Sequence, residues 1–273
     1  MFFGICLPVS TGRVCKAEMS GGTVEFTAEF AGVAVRICCR HEENRAFLSD
    51  YLSNRDPVFA IEPSEKDLEA IRVRLLQQAE KDGITQPRLS EAFLESNVIH
   101  FLLAEGLVHH NVLLMHGSAL CMDGEAYLFT AASGTGKSTH ARLWRELFGD
   151  RVWMINDDKP LLRVGTDGIT EVFGSPWDGK HHLSRNASAP LKAIVSLQRG
   201  TENSIEALSS AQAFAVLRRR AYISSDRDTA EAILALENRL ITAIPFYRLV
   251  CNMECEAARV AWKGMNPELD YPL

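Results

Sequence analysis

No run of residues in this 273-residue chain is long and apolar enough to cross a bilayer, which takes about 18–20 uncharged apolar residues. The apolar start, MFFGICLPVS, lacks a basic segment and a small-residue cleavage site, so it predicts a strand and not a signal peptide. The seven cysteines, without an export signal, predict reduced thiols in a cytoplasmic protein. Cys251 and Cys255 have no second pair and no adjacent histidine, which argues against a zinc site.

An excess of positive charge is also missing. Lys and Arg number 29 against 35 Asp and Glu, a net charge of −6, which argues against nucleic acid or an anionic membrane as a partner. Hydrophobic residues make up 47% and charged residues 23%, a composition that excludes disordered, collagen-like and coiled-coil classes. The length suits one large domain, or a core with a smaller added region.

The first part of the chain, residues 1–110, is predicted to be a β-rich and helical region with a scaffolding role. VEFTAEF and VAVRICC have the character of strands. Ser64 and Asp67 form a capping-box pattern before a helix over 64–82, and Gly83 is placed to end it. The apolar stripe of that helix consists of Leu68, Ile71, Leu75 and Ala79. A second helix is predicted from Ser90 to about His109.

The second part, residues 111–273, alternates apolar strands with helices and is predicted to be the functional core. VLLMHGSAL and EAYLFTA bracket Met122-Asp123-Gly124, which predicts a hairpin, and a second hairpin is predicted around Thr166-Asp167-Gly168. Because several strand pairs are hairpins, the sheet is expected to be mixed, within an α/β fold.

The strongest motif is a glycine-rich loop between an apolar strand and an amphipathic helix, the context that a phosphate-binding loop requires. Ala131 stands where the pattern G-x-x-x-x-G-K-[ST] has its first glycine. Backbone N–H groups of such a loop surround phosphate oxygens, the lysine reaches the β- and γ-phosphates, and the hydroxyl can ligate Mg²⁺. The predicted nucleotide-binding residues are Ser133, Gly134, Thr135, Gly136, Lys137, Ser138 and Thr139.

Two further signals lie at predicted strand ends. Asp157 and Asp158 follow the apolar VWMI, where one carboxylate can hold a metal and the other can take a proton; a polar cap is the plainer alternative. His116, before Gly117, can act on a metal or on the transferred phosphate, or be a buried core histidine.

Two basic segments are weaker candidates. In the loop Gly174–His182, Trp177 can form a pocket wall and Lys180 can neutralise a transferred phosphoryl group, with Arg185 following; a surface turn is the alternative. The run Arg218-Arg219-Arg220 is interpreted as the solvated end of a helix.

The motifs SGTGKST, the preceding His-Gly and the Asp-Asp pair resemble the HPr kinase / PEP carboxykinase family of P-loop proteins. The stretches FTAASGTGKSTHARLW, NDDKPLLR and GSPWDGK are similar to small bacterial HPr-kinase-related proteins, over about residues 110–264. The resemblance implies a nucleotide-binding core that uses ATP and Mg²⁺. It implies Walker roles for Lys137 and Ser138, metal and base roles for Asp157 and Asp158, and an active-site role for His116.

The leading hypothesis is therefore a kinase that transfers the γ-phosphoryl group of ATP to a hydroxyl of a peptide, a protein or a small molecule. The predicted catalytic residues are Asp157, Asp158, His116 and Lys180, and the predicted metal ligands are Ser138, Asp157 and Asp158. One alternative is a non-catalytic nucleotide-binding partner in a modification or regulatory assembly. The other is an enzyme similar to PEP carboxykinase. The oligomeric state stays open, with a homo-oligomer among the alternatives.

Overall fold

The computed structural model describes residues 23–270, so the strand predicted for MFFGICLPVS lies outside the described residues. Within that range the chain divides into two compact units. The first unit consists of residues 23–110 and 223–232, and the second of residues 111–222 and 233–270. The predicted α/β class, with a mixed sheet and a smaller N-terminal sheet, is confirmed. Among the described residues, no helix is long and apolar enough to span a membrane.

The first unit has a three-stranded sheet and three helices. β1 (Val24–Phe30) pairs antiparallel with β2 (Val33–Cys39), and β3 (Phe59–Ile61) lies parallel to β2. The helices are α1 (Glu42–Phe47), α2 (Glu65–Lys81) and α3 (Glu91–Val108).

The predicted ends of α2 and α3 are confirmed. Ser64 is the N-cap of α2, with both hydrogen bonds of the capping box to Asp67 present, and Asp82 and Gly83 follow its last turn. Ser90 caps α3 by accepting from the N–H of Phe93 at 3.2 Å. All four residues of the predicted apolar stripe are buried, so the helical period alone identified the packed face of α2.

The second unit is built on one large sheet of nine strands. In chain order its elements are β4 (Val112–Leu114), β5 (Ser118–Met122), β6 (Glu125–Thr130), α4 (Lys137–Phe148), β7 (Val152–Asn156), β8 (Leu161–Val164), β9 (Thr170–Phe173), β10 (Ser188–Arg199), β11 (Ser204–Ala207), α5 (Ser210–Arg220), α6 (Arg227–Ala243), β12 (Phe246–Cys251) and α7 (Cys255–Met265). Helix α6 begins within 223–232, the residues that group with the first unit.

The long strand β10 organises this sheet. Its first residues pair antiparallel with β9, and the remainder lies parallel to β6 and to β12. The other pairs are antiparallel, including the hairpin β5–β6 at Asp123–Gly124 and the hairpin β8–β9, so both predicted hairpins are confirmed. A mixed sheet results because hairpins supply the antiparallel pairs and crossovers supply the parallel ones.

The apolar run VLLMHGSAL contains two strands, β4 and β5, so the strand predicted to end at His116 and Gly117 ends at Leu114. Met115 donates its N–H to the carbonyl of Pro160 and Gly117 donates to that of Asp158, at 3.0 and 3.1 Å. β4 pairs with β8, whereas β5 pairs with β6 and β7. His116 therefore lies in a short link between two strands, and its backbone takes no part in the strand pairing of either one.

One face of α4 packs into the core of this unit. Trp144, which is fully buried, packs among Tyr127, Phe129 and Phe148, with ring centroids 5.0–5.4 Å apart. This packing fixes the helix on the sheet, so its first turn and its other face have a defined position for the candidate site.

Candidate functional site

The loop between β6 and α4 turns tightly instead of continuing the strand. Gly134 and Gly136 have φ values of +73° and +121°, in the region that favours glycine. Thr135 closes the turn by donating its N–H to the carbonyl of Ala132 at 3.2 Å.

The N-terminus of α4 carries backbone donors with no side-chain cap. Gly136 is the N-cap, and the first helical bond runs from the N–H of His140 to the carbonyl of Gly136 at 2.8 Å. Within residues 23–270, no acceptor meets the N–H groups of Lys137, Ser138 and Thr139. Free donors at the positive end of a helix suit an anion such as a phosphate.

Arg199 holds this loop from the end of β10, a contact that the sequence motifs do not predict. Its Nε donates to the carbonyl oxygen of Thr135 at 3.3 Å, and its guanidinium also donates to the carbonyl oxygen of Gly134. No motif marks Arg199, because its position beside the loop depends on the parallel pairing of β10 with β6.

The acidic pair follows the end of β7, so the alternation of side chains along a strand no longer applies to it. Asn156 accepts the N–H groups of Asp158 and Lys159 on its Oδ1, at 2.8 and 2.6 Å. This turn sends the two carboxylates to different partners. Asp157 accepts a hydrogen bond on Oδ1 from the hydroxyl of Ser118 at 2.7 Å.

Asp158 lies between a histidine and a lysine. Its Oδ1 is 3.2 Å from His116 Nε2, and its Oδ2 is 2.7 Å from Lys159 Nζ. Burial by itself raises the pKa of Asp158, but the hydrogen bond from His116 and the charge of Lys159 outweigh it and lower that pKa well below its usual range. Asp158 is therefore a persistent anion. Lys159 is not among the predicted site residues, although it directly follows the Asp pair in the sequence.

His116 is buried in the link between β4 and β5. Its carbonyl accepts from the hydroxyl of Thr130 at 2.8 Å, and its N–H donates to the carbonyl of Arg220 at 2.8 Å. Burial lowers the pKa of His116, partly opposed by the hydrogen bond to Asp158, so the ring is neutral at pH 7.

Lys137 lies in the electrostatic field of the same cluster. Burial lowers the pKa of its ammonium, the charges of Asp158 and Asp157 oppose that shift, and those of Arg220 and Lys159 add to it. The structure thus brings Lys137 close to the acidic pair. His116 belongs to the same cluster, because it contacts Asp158. The run Arg218-Arg219-Arg220 does end helix α5, but only Arg219 is exposed and Arg220 is half-buried, so the end of the helix is only partly solvated.

Lys180 is not brought into this cluster. Its side chain is exposed, and it makes no hydrogen bond or ion pair within the described part of the chain. The neighbouring Gly179 does approach the site: a Cβ there would lie 2.9 Å from Asp157 Oδ2. The guanidinium of Arg185 lies 5.5 Å from the ring centroid of Trp153. The buried cation beside the acidic pair is Lys159.

A cavity of about 420 Å³ opens beside the first three turns of α4. Its polar wall includes Ser138, Asp157, Arg142, Arg145 and His181, and its apolar wall includes Met154 and Leu183.

The donor set of the site suits a hard cation. The hydroxyl of Ser138 and the carboxylates of Asp157 and Asp158 are oxygen ligands, which Mg²⁺ prefers. Among residues 23–270, no group of three or more His, Cys, Asp or Glu side chains is arranged to hold a metal ion. Mg²⁺ would therefore depend on few protein ligands together with a bound phosphate, its usual manner of binding in nucleotide sites.

No protein-family model matches the chain, and no curated protein matches its sequence. Solved structures do match, among them the HPr(Ser) kinase/phosphatase from Coxiella burnetii, at 10% identity and a TM-score of 0.33. That match covers 56% of this chain and 97% of the other. A likeness at this TM-score carries no argument about activity. The resemblance to HPr kinases therefore stays a prediction, and the function is inferred from the site's own geometry.

Proposed function

We propose that this protein is an ATP- and Mg²⁺-dependent phosphotransferase that moves the γ-phosphoryl group of ATP to a hydroxyl group. The observation that carries the proposal is the uncapped start of α4 on a glycine turn, with Lys137 in the field of two carboxylates. Free N–H donors and a lysine suit the phosphates, and the carboxylates supply the acid–base chemistry that phosphoryl transfer needs.

The two carboxylates have separate roles in this proposal. Asp157 lines the cavity and is held by a single hydroxyl, that of Ser118, so it faces an incoming acceptor and accepts its proton. Asp158 keeps its charge because its pKa is lowered, which suits a metal ligand and not a base. Ser138 and Asp158 would hold Mg²⁺, which when bound neutralises charge on the phosphates.

In the proposed transfer step, ATP, the acceptor and these residues account for every bond that forms or breaks and for the released proton. The acceptor oxygen forms a bond to the γ-phosphorus as the bond from that phosphorus to the β,γ-bridging oxygen breaks, and ADP leaves with the bonding electrons. The hydroxyl proton passes to the Asp157 carboxylate. Lys137, from the helix start, offsets the charge that develops on the transferring group. His116 and Lys159 orient Asp158, each through one of its two carboxylate oxygens.

The first experiment measures nucleotide binding and turnover separately. Calorimetry gives the affinity for Mg²⁺–ATP, and release of phosphate gives the slow transfer to water in the absence of an acceptor. Lys137→Ala should abolish both. Lys192→Ala is the matched control, because Lys192 pairs with Glu125 and lies outside the cluster.

Two results would count against the proposal, and a third would invalidate the comparison with Lys137→Ala. Unchanged binding in Lys137→Ala would remove the phosphate loop from the site. Tight nucleotide binding by the wild-type protein without any Mg²⁺-dependent turnover would favour the non-catalytic nucleotide-binding alternative. Equal losses in the Lys192 control would show a general effect on folding.

A further inference from the structure

The cavity beside α4 has a polar wall whose charge is mostly positive. Ser138, Arg142 and Arg145 are spaced i, i+4 and i+7, which places them on one face of the helix. His181 adds a ring from the opposite segment of chain, and Asp157 is the acid that lines the cavity. The wall thus combines the proposed base with several cationic or protonatable groups.

Among the residues that line the cavity, Arg145 is the one with a buried donor that the fold leaves unsatisfied. Its Nε is buried and has no hydrogen-bond partner, and its guanidinium forms no ion pair with any of the described residues. Arg142 differs, because it pairs with Glu146 at 2.5 Å one turn further along the same helix. A buried guanidinium donor without a partner is costly unless a ligand satisfies it.

The apolar part of the cavity strengthens this argument. Met154 and Leu183 line it, so a charge bound there has apolar neighbours on one side and interacts more strongly with Arg145 than it would in bulk water. A volume of about 420 Å³ admits a small molecule or the end group of a larger one. Planar guanidinium groups recognise carboxylates and phosphates through paired hydrogen bonds.

From these observations we infer that the phosphoryl acceptor carries an anionic group, a carboxylate or a phosphate, close to the hydroxyl that is phosphorylated. Arg145 binds the anionic group while Asp157 faces the hydroxyl. The inference rests on the proposed function, because only a phosphotransferase has an acceptor whose hydroxyl is phosphorylated. The anion site itself is a separate claim, because it depends on Arg145, which lies about two turns along α4 from the phosphate loop.

The test uses three small probes that share a glycerol framework: glycerol 3-phosphate, glycerate and uncharged glycerol. Binding of each is followed by saturation-transfer NMR on the full chain, first alone and then with a saturating, non-hydrolysable Mg²⁺–ATP analogue. We expect the charged probes to bind in the presence of the analogue, and glycerol to bind far more weakly. The stronger of the two charged probes identifies phosphate or carboxylate as the preferred group.

Arg145→Ala should weaken the charged probes by about 10-fold or more, since hydrogen bonds to charged groups contribute on that scale. Arg145→Lys should restore part of the affinity. Arg151→Ala is the matched control, an arginine nearby in sequence that pairs with Asp123 at the surface. The affinity of the Arg151→Ala variant for the charged probes should equal that of the wild type.

Several outcomes would overturn the inference. Displacement of the charged probes by the nucleotide analogue would assign the cavity to the nucleotide. Equal binding of those probes to Arg145→Ala and to the wild type, or binding no stronger than that of glycerol, would remove the anion site. Failure of the analogue to bind would refute the proposed function instead, while the probe titrations without nucleotide would still report on the anion site.

Discussion

Each of the two units contains a carboxylate in contact with a histidine, and the two clusters differ in which carboxylate oxygens remain available to a ligand. In the first unit, Glu95 accepts the N–H groups of Arg40 and His41, the amide of Asn44 and the ring of His41, at 2.8–3.1 Å. In the second, Asp157 lines an open cavity and Asp158 is shared between His116 and Lys159.

The difference shows why burial and a nearby histidine do not identify a functional site. Both oxygens of Glu95 are used by the ends of local elements, so its cluster ties β2 and α1 to α3. The acidic pair is also held by hydrogen bonds, yet it adjoins a cavity and the uncapped start of a helix. Unused donors and open space, and not the carboxylates alone, are the features on which the proposed chemical role of the second cluster rests.

The largest expected effect is on catalysis by the acidic pair. Asp157→Asn should lower turnover by about 10²-fold or more and leave nucleotide affinity within a small factor, because proton transfer contributes on that scale. Asp158→Asn should lower turnover too, but with a higher Mg²⁺ concentration for half-maximal rate. Magnesium titrations of both variants separate the two roles. Wild-type turnover in both would make the pair structural, like Glu95.

The converse substitution should act on stability. Glu95→Gln replaces an acceptor of four hydrogen bonds, so we expect the first unit to lose about 3 kcal/mol of unfolding free energy. All four tryptophans lie in the second unit, at 144, 153, 177 and 262, so their fluorescence reports that unit alone. Urea unfolding followed by circular dichroism and by tryptophan emission measures the effect. A loss of nucleotide binding without destabilisation would reverse the comparison.

A third buried group sharpens the comparison, because it has neither a carboxylate nor a cavity. Burial lowers the pKa of His140 to about 3. Between pH 6.5 and about 3 the unfolded chain therefore binds a proton that the folded state does not, and stability falls with falling pH by up to about 1.4 kcal/mol per unit.

The matched variant for this prediction is His140→Gln, whose amide can still accept from Trp144 Nε1, now 3.0 Å from His140 Nε2. It should remove that part of the pH dependence. Urea unfolding monitored by tryptophan emission at pH 7.5, 6 and 5 provides the measurement. An unchanged slope in the variant would mean that another group causes the dependence.

The smallest expected effect concerns Arg199. Arg199→Ala removes the donors that hold the carbonyls of Thr135 and Gly134, so we expect nucleotide affinity to weaken about 3-fold to 10-fold. Because Arg199 is exposed, stability should change little. Calorimetry with Mg²⁺–ATP tests this prediction, and Arg248→Ala, on the adjacent strand β12, is the control. Unchanged affinity would show that the glycines alone define the loop.

The sequence by itself determined the local elements and the phosphate-loop candidate. Period-3.6 burial in α2, the capping box at Ser64 and the Asp123–Gly124 hairpin depend on residues a few positions apart, and each is where the pattern predicts it. The glycine turn before Lys137 is equally local, because its φ values are available mainly to glycine.

Only the tertiary structure decided how the acidic pair divides and which cations accompany it. His116 reaches Asp158 because it lies in the short link that separates β4 from β5. Arg199 reaches the glycine loop because β10 lies parallel to β6. Lys180 and Lys159 are both near Asp residues in the sequence, yet one is exposed and the other buried against Asp158. Such choices depend on pairings across tens of residues, and local patterns carry no information about them.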